Sequence, residues 1–294
     1  MHDAAPSAAW KKFANNPVLG GPLGTCFDIS VLRDGKKYRM YFSWRPKASI
    51  AVTESDDGVH WSDPKIALGP AATGWEDDIN RPGVLKKAGM YHMWYTGQFR
   101  GHSEIGYATS RDGLHWDRRT QPVLAPEQPW EKVAVMCPDV LWDEKTHQYK
   151  MWYSGGDQYE PDAIGYAVSP DGVHWARRTD PVFQADSNNA WEQHKVTACQ
   201  VIKQHGWYTM FYIGFRDIDH AQIGVARSRD GVSDWKRLPQ NPILSPTPNG
   251  FDADACYKPS ALYDGKQWLL WYNGRNGGVE QIGLATKTGP DLGF

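Results

Sequence analysis

One seven-residue phrase recurs along the chain and limits what it can fold into. It reads SDDGVHW from Ser55, SRDGLHW from Ser110 and SPDGVHW from Ser169, and SRDGVSDW from Ser228 carries one extra residue. The aspartates of the four Asp-Gly pairs stand at 57, 112, 171 and 230, in steps of 55, 59 and 59 residues. A period of this length indicates a repeat architecture.

Two further phrases raise the number of repeat units to five. The first set is YRMYFSW, YHMWYTG, YKMWYSG, YTMFYIG and WLLWYNG, and the second is SIAVTES, EIGYATS, AIGYAVS, QIGVARS and QIGLATK. Each phrase is short, rich in aromatic and β-branched residues and bounded by Gly, Asp or Asn, which is typical of strands. No window shows a sustained helical period. The second unit holds four such segments: RPGVLKK, YHMWYTG, EIGYATS and HWDRRTQPVL. Four-stranded units at this period predict an all-β, five-bladed β-propeller with four antiparallel strands per blade.

The two chain ends complement each other. The fourth strand ends in WDRRTQPVL, WARRTDPVF or WKRLPQNPIL, whereas the fifth unit lacks such a segment and the N-terminus supplies WKKFANNPVL from Trp10. We therefore predict that the N-terminal strand pairs into the last blade, closes the ring and removes a free sheet edge. The chain is then one domain, 1–294, with blades near 20–70, 75–125, 130–184, 191–245 and 250–294 plus 8–19.

The Asp-Gly phrase is predicted to be structural. Asp-Gly suits a tight hairpin turn, here between the third and fourth strands, and the Trp is expected to pack between blades. The site is therefore expected on the opposite face, where the connections vary and are rich in Arg, His, Asp and Glu. Candidate binding residues on this face are Trp44, Arg100, Arg216 and Arg275.

The innermost strands align as FDISV, NRPGV, MCPDV, TACQV and YKPSA. One alternating face is apolar, and the other presents Asp28, Asp139, Arg81 and Lys258. Such a cluster favours acid/base chemistry, because like charges raise one carboxyl pKa and cations lower the other. The alternative is a structural ring of ion pairs that plugs the channel.

The links into these strands carry further acids. Glu76, Glu131 and Glu192 repeat at one position, which favours a structural role, although Glu192 stays a candidate acid. Asp78, His194 and Asp254 depart from that repeat and are better functional candidates.

Composition excludes several classes of function. The net charge of −2 gives no reason to expect a nucleic-acid or membrane partner. The N-terminus has no apolar signal core, which predicts a cytoplasmic protein, or a secreted or periplasmic one whose signal has been removed. The four cysteines form no CxxC pair, so no zinc site is expected, and the chemistry proposed here requires no metal or cofactor.

These phrases resemble the five-bladed propeller glycosidases of glycoside hydrolase families 32, 43, 68, 117 and 130. WYTG, WYSG, WYNG, IGYATS and DGxHW are scaffold phrases of that group. By resemblance to family 32, Asp28 in FDIS falls where the nucleophile belongs. Arg81 in NRPG and Met136 in MCPD stand where two further acids belong, so only one family acid is retained at a matching position.

The resemblance implies a glycoside hydrolase, exo-acting on a carbohydrate substrate. Asp28 would be base or nucleophile, and Asp139, Glu192 or Asp78 would protonate the leaving oxygen; the sequence carries no signal for the oligomeric state. One alternative is a glycoside phosphorylase or a hydrolase of anionic sugars that uses the Arg and Lys cluster. The other is a non-catalytic glycan-binding propeller.

Overall fold

The computed structural model describes residues 9–294, and within this range the protein is all-β, with three short 3-10 helices at Gly21–Leu23, Arg45–Lys47 and Pro129–Glu131. The first repeat unit supplies β2 to β5: Cys26–Asp34, Lys37–Trp44, Ser49–Ser55 and Lys65–Leu68. The second supplies β6 to β9: Asp78–Lys87, Met90–Phe99, His102–Ser110 and Asp117–Arg118. The third supplies β10 to β14: Ala134–Asp143, Gln148–Asp157, Glu160–Ser169, Ala176–Arg177 and Phe183–Gln184. The fourth supplies β15 to β18: Lys195–Gln204, Trp207–Phe215, Ala221–Ser228 and Lys236–Arg237. The fifth supplies β19 to β21: Ala255–Tyr263, Gln267–Asn276 and Val279–Thr288.

Within each unit the strands pair antiparallel in chain order, from an inner strand outward. The first and fourth units are separate four-stranded sheets, whereas one parallel residue pair, Ala134 with Ser103, joins the second and third units into a nine-stranded sheet. The fifth unit takes its outer strand from β1, Lys11–Lys12, which pairs with β21. Residue 8, where we predicted this outer segment to begin, lies outside the described residues.

The fourth strands are shorter than predicted. Segment 115–124 forms only the two-residue β9 and an isolated bridge between Leu124 and Ile105. Pro122 stands between these two contacts and has no N–H to donate to the ladder, so pairing is interrupted there.

The repeated phrase builds one turn four times. In the second copy the Ser110 hydroxyl accepts a hydrogen bond from the Gly113 N–H, at 2.8 Å. One oxygen of Asp112 accepts from the N–H groups of Leu114 and His115. The Trp116 ring then packs edge-on against Tyr41 of the preceding unit, 5.7 Å between centroids. This turn is structural because its Ser and Asp side chains bond to backbone groups of the same turn.

Aromatic side chains join successive units. The Trp94 indole donates to the carbonyl of Gly172 in the next turn phrase, at 2.8 Å. Trp271 of the fifth unit makes the same bond to Gly58 of the first. The buried clusters lie between units for this reason, and one of them contains both Met40 and Trp271.

The glycines of the WYxG and IGxA phrases make room for an aromatic ring from the link. A Cβ at Gly97 would lie 2.5 Å from the Trp75 ring, and one at Gly106 would lie 2.6 Å from it. Both distances are too short for any side chain. These phrases therefore belong to the scaffold and fix the position of the links that lead into the inner strands.

Candidate active site

The five inner strands share a β-bulge at one aligned position. The ladder shifts register there in every unit, and the bulged residue takes a left-handed backbone conformation. The bulged residues and their φ angles are Asp28 (51°), Arg81 (55°), Cys137 (54°), Ala198 (32°) and Lys258 (45°). Non-glycine residues adopt such angles rarely and at a cost, and bulges re-aim side chains, so these positions mark a built site.

The preceding unit supports these bulges. The free N–H of Arg81 donates to the Ser43 hydroxyl at 2.9 Å, and that of Ala198 donates to Ser154 at 2.8 Å. The Cys137 N–H likewise donates to Thr96, at 3.1 Å. The hydroxyl residues at the ends of the middle strands therefore hold the strained backbone in place.

Two residues beyond each bulge, polar side chains tie one inner strand to another. Ser30 accepts from the Val84 N–H at 3.1 Å, and Ser260 accepts from the Val31 N–H at 3.0 Å. Asp139 belongs to this set, since its carboxylate accepts from the Val201 N–H at 2.8 Å. Burial raises the pKa of Asp139 to about 6, against the opposing effects of this hydrogen bond and of Lys258. Asp139 can therefore be explained as a group that links two inner strands, which is an alternative to its predicted role as a catalytic acid.

A cavity of about 200 Å³ lies at the bulged ends of the inner strands. Every unit contributes to its lining, and its apolar floor includes Met136, Ala198 and Ile213. Its charged lining residues are Asp28, Glu280, Arg45, Arg81, Lys195 and Arg275. Two carboxylates and four cations therefore meet in one cleft.

Asp28 is buried at the base of this cavity. Its carboxylate pairs with the Arg81 guanidinium, Nε to Oδ2 at 3.2 Å, and only 8% of its side chain is exposed. Burial alone would lower the pKa of Arg81, but the Asp28 carboxylate and other nearby acids raise it. Arg81 therefore stays charged beside the Asp28 carboxylate.

Glu280 is the second carboxylate of the cavity, and our sequence analysis did not select it. It lies in the hairpin between β20 and β21, directly across from Arg275. The Tyr257 hydroxyl donates to one oxygen, and Arg45 lies 3.4 Å from the other. Burial and then the charge of Asp28 raise the pKa of Glu280, although Tyr257 and Arg45 act in the opposite direction. The environment of Glu280 therefore shifts its carboxyl group toward the protonated form.

Lys195 and Arg275 are the remaining cations of the cavity. Lys195 is nearly buried, pairs with Glu160 and lies 4.4 Å from the centre of the Phe215 ring. Arg275 donates to the backbone carbonyl of Asp219 at 2.8 Å. No carboxylate among residues 9–294 forms an ion pair with Arg275.

The structure contradicts the candidate acid Glu192. Glu192 is fully buried in the link, where it pairs with Arg237 at 2.5 Å and accepts from Asn189, and it does not line the cavity. Glu76 pairs in the same way with Arg118, and Glu131 with Arg177. Tyr95 and Tyr153 donate to these two acids. The repeated glutamate thus forms an ion pair that joins the link to the outer strand in each of these three units.

Other predicted residues lie around the cavity rather than in it. Asp78 and Trp44 line a neighbouring cavity that also contacts Arg45. Asp254 lines another, next to Arg275, and accepts from the Gly277 N–H. Lys258 is buried at its bulge and does not line the cavity, and its charge acts on Asp139 and Cys137.

Three predicted binding residues are exposed and do not line the cavity: His194, Arg100 and Arg216. Arg100 lies over the Phe99 ring, and Arg216 pairs with Asp217. The variable connections therefore contribute Arg45, Arg275 and Glu280 to the cavity lining, but not these three residues.

The cavity gains three residues that the sequence did not indicate: Glu280, Tyr257 and Lys195. The candidate Arg275 stands in the variable connection GRNGGVEQ, and Glu280 stands in the same connection. Its position there was the signal that could have indicated Glu280 as a site residue. Throughout residues 9–294, no group of three or more His, Cys, Asp or Glu residues is placed to hold a metal ion. In the same range no helix has the length and apolar character to cross a membrane.

Comparison with known proteins identifies the family. An uncharacterized protein of Mycobacterium tuberculosis is 28% identical over 94% of this chain and 98% of its own length. A thermostable family-43 glycoside hydrolase superposes with a TM-score of 0.76 at 21% identity, over 94% of this chain and 93% of that one.

A second solved structure comes from a study entitled "The GH130 family of mannoside phosphorylases contains glycoside hydrolases that target beta-1,2 mannosidic linkages in Candida mannan". It superposes with a TM-score of 0.76 at 15% identity, over 99% of this chain and 98% of that one. Both structures have propeller folds of glycosidases. Residues 29–200, more than half of the chain, match the family model described as the glycosyl hydrolases family 32 N-terminal domain. The chain therefore belongs to that family, and its enzyme class is glycosidase.

Proposed function

We propose that this protein hydrolyses a glycosidic bond with Asp28 and Glu280 as its carboxylate pair. Asp28 is the base or nucleophile, and Glu280 is the acid that protonates the leaving oxygen. The observation that carries the proposal is that both carboxyl groups line one cavity in opposite electrostatic settings. Glycosidases require one ionised and one protonated carboxyl group at the same bond.

The surroundings support these two roles. Arg81 pairs with Asp28 at 3.2 Å, whereas burial and the charge of Asp28 raise the pKa of Glu280. Neighbouring acids with opposed environments provide the acid and the base of a reaction at neutral pH. Glu280 thus supplies the acid that the family resemblance would have placed at Met136, while Asp28 keeps its matching position.

The size of the cavity supports exo action. About 200 Å³ lies below the ~300–1,000 Å³ of ordinary ligand pockets. Its apolar floor closes one end, which suits the terminal residue of a chain or a small glycoside better than the middle of a polysaccharide.

The cations favour a second candidate reaction. Arg45, Arg81, Lys195 and Arg275 would also suit a glycoside phosphorylase, in which phosphate replaces water. The two reactions differ in whether turnover depends on added phosphate and in whether a sugar phosphate or a free sugar is released.

We also propose that the five units form the blades of one closed ring within a single domain. The pairing of β1 with β21 and the hydrogen bond from Trp271 to Gly58 both connect the fifth unit to the first. This arrangement explains why every unit contributes to one central cavity.

The test is a screen of aryl glycosides and oligosaccharides, with and without phosphate, on wild type, Asp28→Asn and Glu280→Gln. Asp28→Asn is expected to lose turnover on every substrate. Glu280→Gln is expected to lose little on aryl glycosides with acidic leaving groups and ~10²–10⁴-fold on those with poor ones, because only the latter need a proton.

Two variants serve as matched controls. Asp56→Asn and Glu144→Gln change exposed carboxyl groups outside the cavity and should keep full activity. Unfolding curves show whether each variant is folded. Full turnover by folded Asp28→Asn or folded Glu280→Gln would refute the assignment.

A further inference from the structure

The charges of the cavity do not balance, and Arg275 accounts for much of the excess. Four cations line it, and the carboxyl groups among its lining residues are those of Asp28 and Glu280. Arg81 is matched by Asp28, and Lys195 by Glu160 outside the lining. Among residues 9–294 the Arg275 side chain makes one hydrogen bond, to a backbone carbonyl, and its remaining N–H donors are available.

The neighbouring groups hold Arg275 in this position. It lies in the last pairs of the β20–β21 hairpin, opposite Glu280, and is half-buried. The Asp219 carbonyl from the fourth unit fixes one end of the guanidinium. A guanidinium held by its backbone partner presents a planar fork that matches a carboxylate, sulfate or phosphate.

Lys195 belongs to the same side of the cavity. It begins β15, the inner strand of the fourth unit, whereas Arg275 pairs with Ala255 at the start of β19, the next inner strand. Only 5% of the Lys195 side chain is exposed, so its charge acts with little screening by water. The two cations thus line the same cavity from the start of the inner strand of the fourth unit and from beside the start of that of the fifth.

We propose that Arg275 and Lys195 form an oxyanion subsite that recognises an acidic group on the glycoside. The substrate class is then an acidic glycoside, with a carboxylate, sulfate or phosphate near the sugar that is cleaved. That the bound molecule is a substrate rests on the proposed function. Binding of an anion at the subsite can be measured without turnover. A free phosphate would have the same chemistry, and the experiment separates the two sources.

The experiment is calorimetric titration of wild type, Arg275→Gln, Arg275→Lys and Lys195→Met. The probes are glucuronate, galacturonate and mannuronate, their neutral parent sugars, inorganic sulfate and inorganic phosphate. At least one anion should bind tighter than the neutral sugars, and raising NaCl should weaken that binding. Arg275→Gln should weaken it about tenfold or more, and Arg275→Lys should restore part of the affinity.

The control is Arg111→Gln, which removes one exposed positive charge in an Asp-Gly turn, away from the cavity, and should leave binding unchanged. Binding of acidic sugars places the anion on the substrate, and binding of phosphate alone places it on a second reactant. Both results support the subsite.

The proposal is overturned if no anion binds tighter than the neutral sugars. It is also overturned if folded Arg275→Gln and folded Lys195→Met bind anions as wild type does. Neither result depends on Asp28 or Glu280, so failure of the subsite is distinguishable from failure of the catalytic assignment.

Discussion

Asp139 offers a test that separates a structural carboxylate from a catalytic one. Burial raises its pKa from the ordinary 3.8 to about 6 in the folded protein. Between these two values the folded state holds a proton that the unfolded state has lost. The free energy of unfolding therefore falls as pH rises from about 4 to 6 and stays lower above pH 6.

The size of this effect follows from the shift. One pKa unit corresponds to about 1.4 kcal/mol, so a shift of this size gives an upper limit of about 3 kcal/mol above pH 6. Asp139 is partly accessible, and water near the carboxylate will reduce the measured value. Asp139→Asn removes the charge but keeps an oxygen that accepts from the Val201 N–H.

We expect Asp139→Asn to be more stable than wild type at pH 8, by up to about 3 kcal/mol, and equal to it below pH 4. Urea unfolding at several pH values measures this, and the difference between the two proteins cancels the other carboxyl groups. Asp139→Ala should be less stable than Asp139→Asn by about 1–3 kcal/mol at every pH, because the Val201 N–H loses its acceptor.

Turnover provides the second measurement. A strand-linking Asp139 predicts that Asp139→Asn keeps activity within about twofold, whereas loss of a general acid would cost ~10²–10⁴-fold on substrates with poor leaving groups. A large loss of turnover in the folded variant, or a stability difference that does not change with pH, would refute the structural assignment.

Three further outcomes follow from contacts elsewhere in the protein. Glu192→Gln should lower the free energy of unfolding by about 3–5 kcal/mol, because the partly buried Arg237 loses its partner, whereas initial rates of the folded protein should stay unchanged. A stable but inactive variant would return Glu192 to the catalytic candidates. Removing the chain up to Gly20 deletes β1 and the ion pair between Lys12 and the buried Asp252. Calorimetry should therefore show a melting temperature lower by about 10 °C. An unchanged melting temperature would contradict the role of this strand. In wild type, kcat/KM should fall as pH rises through the raised pKa of Glu280, because the proton donor is lost. Rates of Glu280→Gln measured across the same pH range should not show this fall. If the variant keeps the fall, another residue is the acid.

The parts of the fold that depend on local chemistry were predictable. Asp112 and Ser110 satisfy backbone groups within five residues, so a turn could be inferred from the phrase alone. Alternation along the inner strands also selected the positions of Asp28 and Arg81, which line the cavity together. The two-residue fourth strands were less predictable, because they depend on where a proline interrupts pairing with another strand.

The parts of the site that depend on depth could not be predicted. Asp28 and Asp139 stand on the same face in the alternating pattern, yet the bulge at each inner strand separates a cavity position from a strand-linking one. A bulge is set by the hydroxyl that captures its free N–H, and that hydroxyl belongs to the preceding unit. No single segment contains both groups.

Glu280 shows why repetition is informative in both directions. The acids that repeat, such as Glu192, have a structural explanation, because each forms the same ion pair between link and outer strand in its unit. A catalytic acid is needed once, and Glu280 stands in a connection whose sequence differs in every unit. Two units give that one residue its setting, since Asp28 from the first unit and Tyr257 from the fifth both act on its carboxyl group. Residues that break the repeat at the bulged ends of the strands are therefore the stronger functional candidates in a chain of this kind, and Arg275 meets the same criterion.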